Sequence, residues 1–185
     1  TTRNQNGLNF DNCRYFKVTG TGDPNIYYGL KVAQTGSGGM GITVGGKSSD
    51  CEIERVEISN TGFAGIMAKT DPSCDSTTWR GNFTMYNVKI HDNYIHDVPG
   101  EGLYIGNSFA AGGMTINCNG VSKVVPPHNI YGLQVYNNQL ERIGCEGIQF
   151  GCSVDALVHD NTMIDTGISP FDVYQANGIQ IGGGS

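Results

Sequence analysis

The chain has little charge and no concentration of it. Charged residues make up 15% of 185 residues, the formal net charge is -6, and Lys and Arg never form a basic run. Non-specific nucleic-acid binding needs a positive patch to displace phosphate counterions, so that class is excluded. An anionic membrane surface is disfavoured for the same reason. No apolar run is long enough to cross a bilayer, so membrane insertion is not expected. The six cysteines form no Cys-x-x-Cys pair, and no His stands at zinc-finger spacing, so a structural zinc site is not expected. There is no Gly-rich phosphate loop and no nucleophile elbow. No signal peptide is visible, and the first residue is Thr1 rather than Met, the mark of a processed or trimmed start.

What the chain has is glycine, 28 residues of it without a collagen period, and turn formers between short apolar runs. Four segments align without gaps: Cys51–Ile58, Val88–Ile95, Leu133–Leu140 and Ala156–Met163. The shared template is apolar, x, apolar, x, x, Asn, x, apolar. Asn93, Asn138 and Asn161 fill the Asn position and Val56 replaces it once; Cys13–Val18 is a partial copy. A second unit, Gly-apolar-x-apolar, begins at Gly41, Gly65, Gly102, Gly147 and Gly178. Gly29–Val32 resembles it out of phase, and 19–40 reads as an insertion.

Two-residue alternation means strands with one buried face. A strand of three or four residues cannot make a domain alone. Stacking equivalent strands about 4.8 Å apart satisfies the backbone and builds one continuous core. The expected fold is therefore all-β, a right-handed parallel β-helix with long loop insertions near 69–86, 107–130 and 166–176, forming one domain over 1–185. The Asn position fits a left-handed corner and a side-chain ladder. The Gly before the second strand fits a corner of positive φ. A chain that stops after a Gly strand at Ser185 implies further coils, or another chain, at that end.

Glu101-Gly-Leu-Tyr-Ile-Gly-Asn-Ser108, Glu146–Gly151 and Asn177–Gly182 resemble units of the pectate-lyase-like right-handed parallel β-helix proteins, many of them large secreted bacterial proteins. The likeness covers nearly the whole chain and identifies architecture better than activity. It implies an extracellular setting and a choice among lyases, glycoside hydrolases, epimerases, tailspikes and adhesins. The polygalacturonase motifs Asn-Thr-Asp, Asp-Asp, Gly-His-Gly and Arg-Ile-Lys are missing, and the pectate-lyase Asp cluster with its catalytic Arg is not recognisable.

Outward positions stack in columns. Glu101 and Glu146 fall one coil apart just before the Gly corner. They share a proton, bind a cation such as calcium, or splay into water. Tyr104, Gln149 and Gln180 form a polar-aromatic ladder suited to a polysaccharide. His96 and Asp97 lie near the same corner and join the catalytic candidates. Glu54, His91, Tyr136 and His159 form another column, with Asp92 and Asp160 beside it, read mainly as repeat-derived surface polarity. Cys74 and Cys118 lie in neighbouring insertions and are the expected disulfide, with Cys118–Cys152 as second choice; Cys13 and Cys51 read as buried thiols. Two functions stay open: an extracellular β-helix that binds, and possibly cleaves, a polysaccharide, or a non-catalytic structural or adhesive solenoid.

Overall fold

The computed structural model describes residues 5–182; the expectations attached to Thr1 and Ser185 lie outside them. The protein is all-β and its long sheets are parallel. The first sheet has six strands, Leu8–Asp11, Ile42–Gly45, Ile66–Ala68, Leu103–Ile105, Ile148–Phe150 and Ile179–Ile181. The second has five: Arg14–Thr19, Ser49–Glu54, Val88–His91, Gln134–Tyr136 and Leu157–His159. The third also has five: Leu30–Ala33, Val56–Ser59, Tyr94–Val98, Gln139–Ile143 and Thr162–Thr166. The chain visits first, second and third sheet in that order, turn after turn. Ile53, Ile90, Val135 and Val158 are register partners through steps of 37, 45 and 23 residues.

The apolar template positions face the interior. Ile42, Ile66, Leu103 and Ile148 of the first sheet are fully buried, as are Ile53, Ile90 and Val135 of the second and Ile58, Ile95 and Leu140 of the third. Each such side chain contributes roughly 1.5–3 kcal/mol by leaving water. Of the template asparagines, Asn93 and Asn138 are buried with them and Asn161 is partly buried. Asn93 Nδ2 donates to Asn138 Oδ1 (3.0 Å), and Asn138 Nδ2 donates to Asn161 Oδ1 (2.9 Å). The ladder ends where the Val56 backbone N–H donates to Asn93 Oδ1 at 3.0 Å.

Four local expectations need correction. The left-handed corner is not at the ladder asparagines but one residue earlier, at Arg55, Asp92, Asn137 and Asp160, with φ between 51° and 53°. A ladder Asn must aim its amide inward, so the preceding residue makes the bend. A second left-handed column is Asn60, Asp97, Arg142 and Asp165. Six of these eight residues are Asn or Asp, whose short polar side chains tolerate that region best.

None of the five Gly-strand glycines has a positive φ. They are needed because the turns crowd there: a Cβ on Gly102 would lie 2.6 Å from the Gly147 carbonyl oxygen, and one on Gly65 2.5 Å from that of Gly102. Gly29–Val32 is not a displaced Gly strand. Leu30 and Val32 pair with Val56 and Ile58, so this segment is the third-sheet strand of its turn and only 20–29 loops out. In the partial copy the partners of Cys51 and Ile53 are Phe16 and Val18; Cys13 sits before the strand and is partly exposed.

The two longest insertions build on each other. Their strands Thr84–Tyr86 and Asn129–Tyr131 pair in parallel, and Met114–Cys118 and Val121–Val125 form a hairpin. Cys74 and Cys118 are bonded across them, with Cα atoms 5.5 Å apart. Cys152 does not join Cys118: it is a buried thiol whose Sγ donates to the Asn107 carbonyl at 3.4 Å. His128 is buried inside this region and accepts the Thr70 N–H through Nε2 at 3.0 Å.

Candidate functional site

The outer face of the first sheet forms the floor of a cavity of about 300 Å³. Register builds this floor. Tyr104 pairs with Gln149, and Gln149 with Gln180, so three side chains stand in a row. One residue before each Gly, the Gly102 N–H donates to the Glu146 carbonyl at 3.0 Å, which places Glu101 and Glu146 on adjacent turns. Adjacent strands lie about 4.8 Å apart.

Insertions make the walls. Ser108 and Phe109 come from the longest one. Phe171, Tyr174 and Gln175 come from the segment before the last Gly strand, and Phe63 faces them from an earlier turn. Phe63 and Phe171 stack with ring centroids 6.0 Å apart, closing the cavity over the carboxylates. A 3-10 turn at Val173–Gln175 holds Gln175 in place. The Asp172 side chain caps the turn, while Gln175 Oε1 accepts the Asp172 N–H at 3.0 Å. That fixes the amide so that Nε2 donates to Glu101 Oε1 at 3.5 Å. Ser108 Oγ lies 3.1 Å from Tyr104 Oη and accepts from Gln149 Nε2 at 3.1 Å, tying the ladder to the wall.

The carboxylates are therefore not solvated surface groups. Glu101 is 2% exposed and Glu146 1%. Burial pushes both carboxyls up, Glu146 to about 6, with the neighbouring Glu101 charge adding to the shift. Glu101 also feels Lys69, which pulls the other way. The Lys69 ammonium lies over the Tyr104 ring at 4.4 Å and pairs with Asp71 at 3.1 Å. Glu101 Oε2, Glu146 Oε2 and Gln180 Oε1 are buried acceptors without a hydrogen-bond partner among the described residues. Unpaired buried acceptors are uncommon and cost free energy; a donor, a proton or a cation would satisfy these three.

Of the sequence candidates, Glu101, Glu146, Tyr104, Gln149 and Gln180 all line this cavity. His96 and Asp97 do not. They lie on the third sheet, where Asp97 accepts from Arg142 Nε and Nη2 at 2.7 and 2.9 Å and His96 Nδ1 lies 2.6 Å from Asp97 Oδ2. Hydrogen bonds from Arg142 and His96 hold the Asp97 carboxyl well below the usual range. An acid so strongly committed to a guanidinium is a poor proton donor, and the pair forms an ion-paired corner apart from the cavity. Residue columns did not point to Phe63, Phe171, Tyr174 or Gln175. Phe171, Tyr174 and Gln175 belong to an insertion, which the repeat does not index, and Phe63 sits in a regular corner two residues before Gly65; the Phe171–Gln175 run before Gly178 was the available signal.

The three buried free cysteines are poor nucleophiles. Burial raises the Cys51 thiol to about 12 and pushes Cys145 and Cys152 up as well. Comparison of the chain with protein-family models, with curated proteins and with solved structures gives no match.

Proposed function

We propose that this chain is a right-handed parallel β-helix of an extracellular protein, and that its first sheet binds and cleaves a polysaccharide. The three-sheet circuit and the Asn ladder support the architecture. The Cys74–Cys118 bond supports an oxidising compartment.

The observation that carries the activity is a pair of buried carboxyls on adjacent turns, inside a cavity walled by aromatic rings and floored by amides. Rings suit the flat faces of sugars, and amides match pairs of hydroxyls. Retaining glycosidases hold their two carboxyl groups about 5–5.5 Å apart, and the turn spacing here is of that order. Glu146 receives no side-chain donor, its Oε2 is unpartnered, and burial raises it towards neutrality, so it serves as the general acid on the leaving oxygen. Glu101 receives the Gln175 amide and the pull of Lys69, both of which favour its charged form, so it serves as the nucleophile.

A second reading is a structural or adhesive solenoid without an active site. The absence of the polygalacturonase motifs favours it.

Neutral and acidic polysaccharides incubated with the chain, with and without calcium, and read by mass spectrometry decide between them. We expect products one water heavier than an intact bond would leave. We also expect loss of release in Glu146→Gln, and loss of glycan retention in the Tyr104→Ala, Gln149→Ala double variant. No product from any substrate, with the Glu101→Gln, Glu146→Gln double variant indistinguishable from the native chain in every property but charge, would leave the second reading.

A further inference from the structure

The second sheet carries a cluster that the cavity does not use. Glu52 and Glu54 project from the same side of one strand, and Glu54 is the register partner of His91 on the next turn. One carboxylate oxygen of each Glu and one ring nitrogen of His91 all lie within 4.8 Å of one another. His91 Nε2 is 3.4 Å from Glu52 Oε1 and 3.6 Å from Glu54 Oε2.

His91 itself is 6% exposed and held from two directions. Tyr136 stacks on its ring with centroids 4.5 Å apart and planes 4° from parallel. Asp92 Oδ2 lies 2.7 Å from Nδ1, and the other Asp92 oxygen accepts from Tyr27 Oη at 2.8 Å. In the tautomer that donates from Nδ1 to Asp92, Nε2 is a lone pair. Nε2 is buried, has no hydrogen-bond partner, and points at two carboxylates. Three lone-pair donors converging on one point repel each other unless a positive charge sits between them.

Lys17 supplies part of that charge. Its Nζ is 2.6 Å from Glu52 Oε1 and 2.8 Å from Glu54 Oε1, yet it leaves Nε2 unpartnered. The Lys17 side chain is 45% exposed and borders an open depression of about 410 Å³ into which it can swing.

We propose that Glu52, Glu54 and His91 form a binding site for a divalent transition metal of the zinc class. Asp92 orients the imidazole, and Lys17 is a displaceable counter-ion that neutralises the carboxylates when no metal is bound. One imidazole and two carboxylates are a zinc-type donor set, with the fourth position left to water, whereas an imidazole suits calcium poorly. The site does not depend on the glycan reading, since it lies on another sheet.

Titration of the intact chain with Zn²⁺ by calorimetry, and with Co²⁺ by visible absorption, tests it. We expect one ion per chain and at least tenfold weaker binding in His91→Gln and in the Glu52→Gln, Glu54→Gln double variant. The glutamate pair is surface-facing and keeps the test valid where the His91 variant folds poorly. Lys17→Met should bind severalfold more tightly than the native chain. No saturable binding in either the native chain or Lys17→Met, a cobalt–thiolate charge-transfer band, or unweakened binding in the glutamate double variant would overturn the site. Binding in Lys17→Met no tighter than native would overturn the counter-ion role.

Discussion

Two pairs of glutamates on two sheets meet opposite fates. Glu101 and Glu146 lie under an aromatic lid with no cation bonded to them, and burial raises both. Glu52 and Glu54 share Lys17. The Lys17 hydrogen bond is the largest influence on Glu52 and lowers it. For Glu54 burial is the largest single influence and acts upward, but Lys17 and Thr19 together outweigh it and the carboxyl is lowered. The same side chain on the same scaffold becomes a proton holder or a charge holder according to what lies over it. Repetition supplies the positions, and the neighbours of each pair set the chemistry: insertion residues over Glu101 and Glu146, and Lys17 of the adjoining turn beside Glu52 and Glu54.

Both pairs rest on register, so the largest effect should come from breaking it. Asn138→Ala removes the middle rung of the ladder, strands the buried Asn93 backbone N–H, and takes the Asn138 amide from the buried Ile90 carbonyl. We expect a loss of about 3 kcal/mol or more, since each orphaned buried group costs roughly 1–3 kcal/mol. Urea unfolding measures it, and both glutamate pairs should shift in titration together.

The next effect separates the pairs by pH. A carboxyl raised on folding binds its proton more tightly in the native state. Its contribution is whole below the ordinary value of 4.5 and is lost as pH rises towards about 6. Glu146→Gln should therefore stabilise the chain at pH 8 by about 1 kcal/mol, less than the full shift implies because solvent at the cavity mouth still screens the charge, and by nothing at pH 4. No difference between the two pH values would remove the desolvated pair.

The opposite sign holds on the second sheet. Glu52 is lowered, so its contribution is present above 4.5 and fades as pH falls below that. Glu52→Gln should destabilise the metal-free chain at pH 7 by about 0.5 kcal/mol, the scale of a surface ion pair, and leave it unchanged at pH 3. Thermal unfolding at the two pH values reads it.

The smallest effect tests the lid alone. Phe171→Ser withdraws the ring stacked on Phe63 and admits water. The Glu146 titration should move back towards 4.5 in a carboxyl NMR experiment, while Glu52 does not move.

Much of the fold was legible because a coil is a local rule applied repeatedly. The apolar-x-apolar spacing located Ile53, Ile90 and Val135 on one line without reference to the loops between them. The same rule put Tyr104, Gln149 and Gln180 in a row and Glu101 beside Glu146. It misplaced the bends, since an Asn that tolerates a left-handed corner looks identical to one that turns its amide inward. It missed the hairpin around Asn119-Gly120, although both residues carry positive φ and the pair is a strong short-range turn signal. It took Glu54 into the His91 column but not Glu52, which period-two alternation places on the same face. Burial of Glu101 and Glu146 was not legible, because what covers them comes from an insertion.

The unequal steps of 37, 45 and 23 residues between matched strands carry one more consequence. The core is indexed by strands, not by residues. Chain can leave after Ala68 or Ile105, run for a variable length, and return to the same lattice position. Because closing a longer loop costs only about 0.6 kcal/mol per doubling of its length, these two seams are natural splice points. A foreign segment inserted there would decorate the scaffold without renumbering its interior, and the rim of the cavity is assembled from chain of that kind.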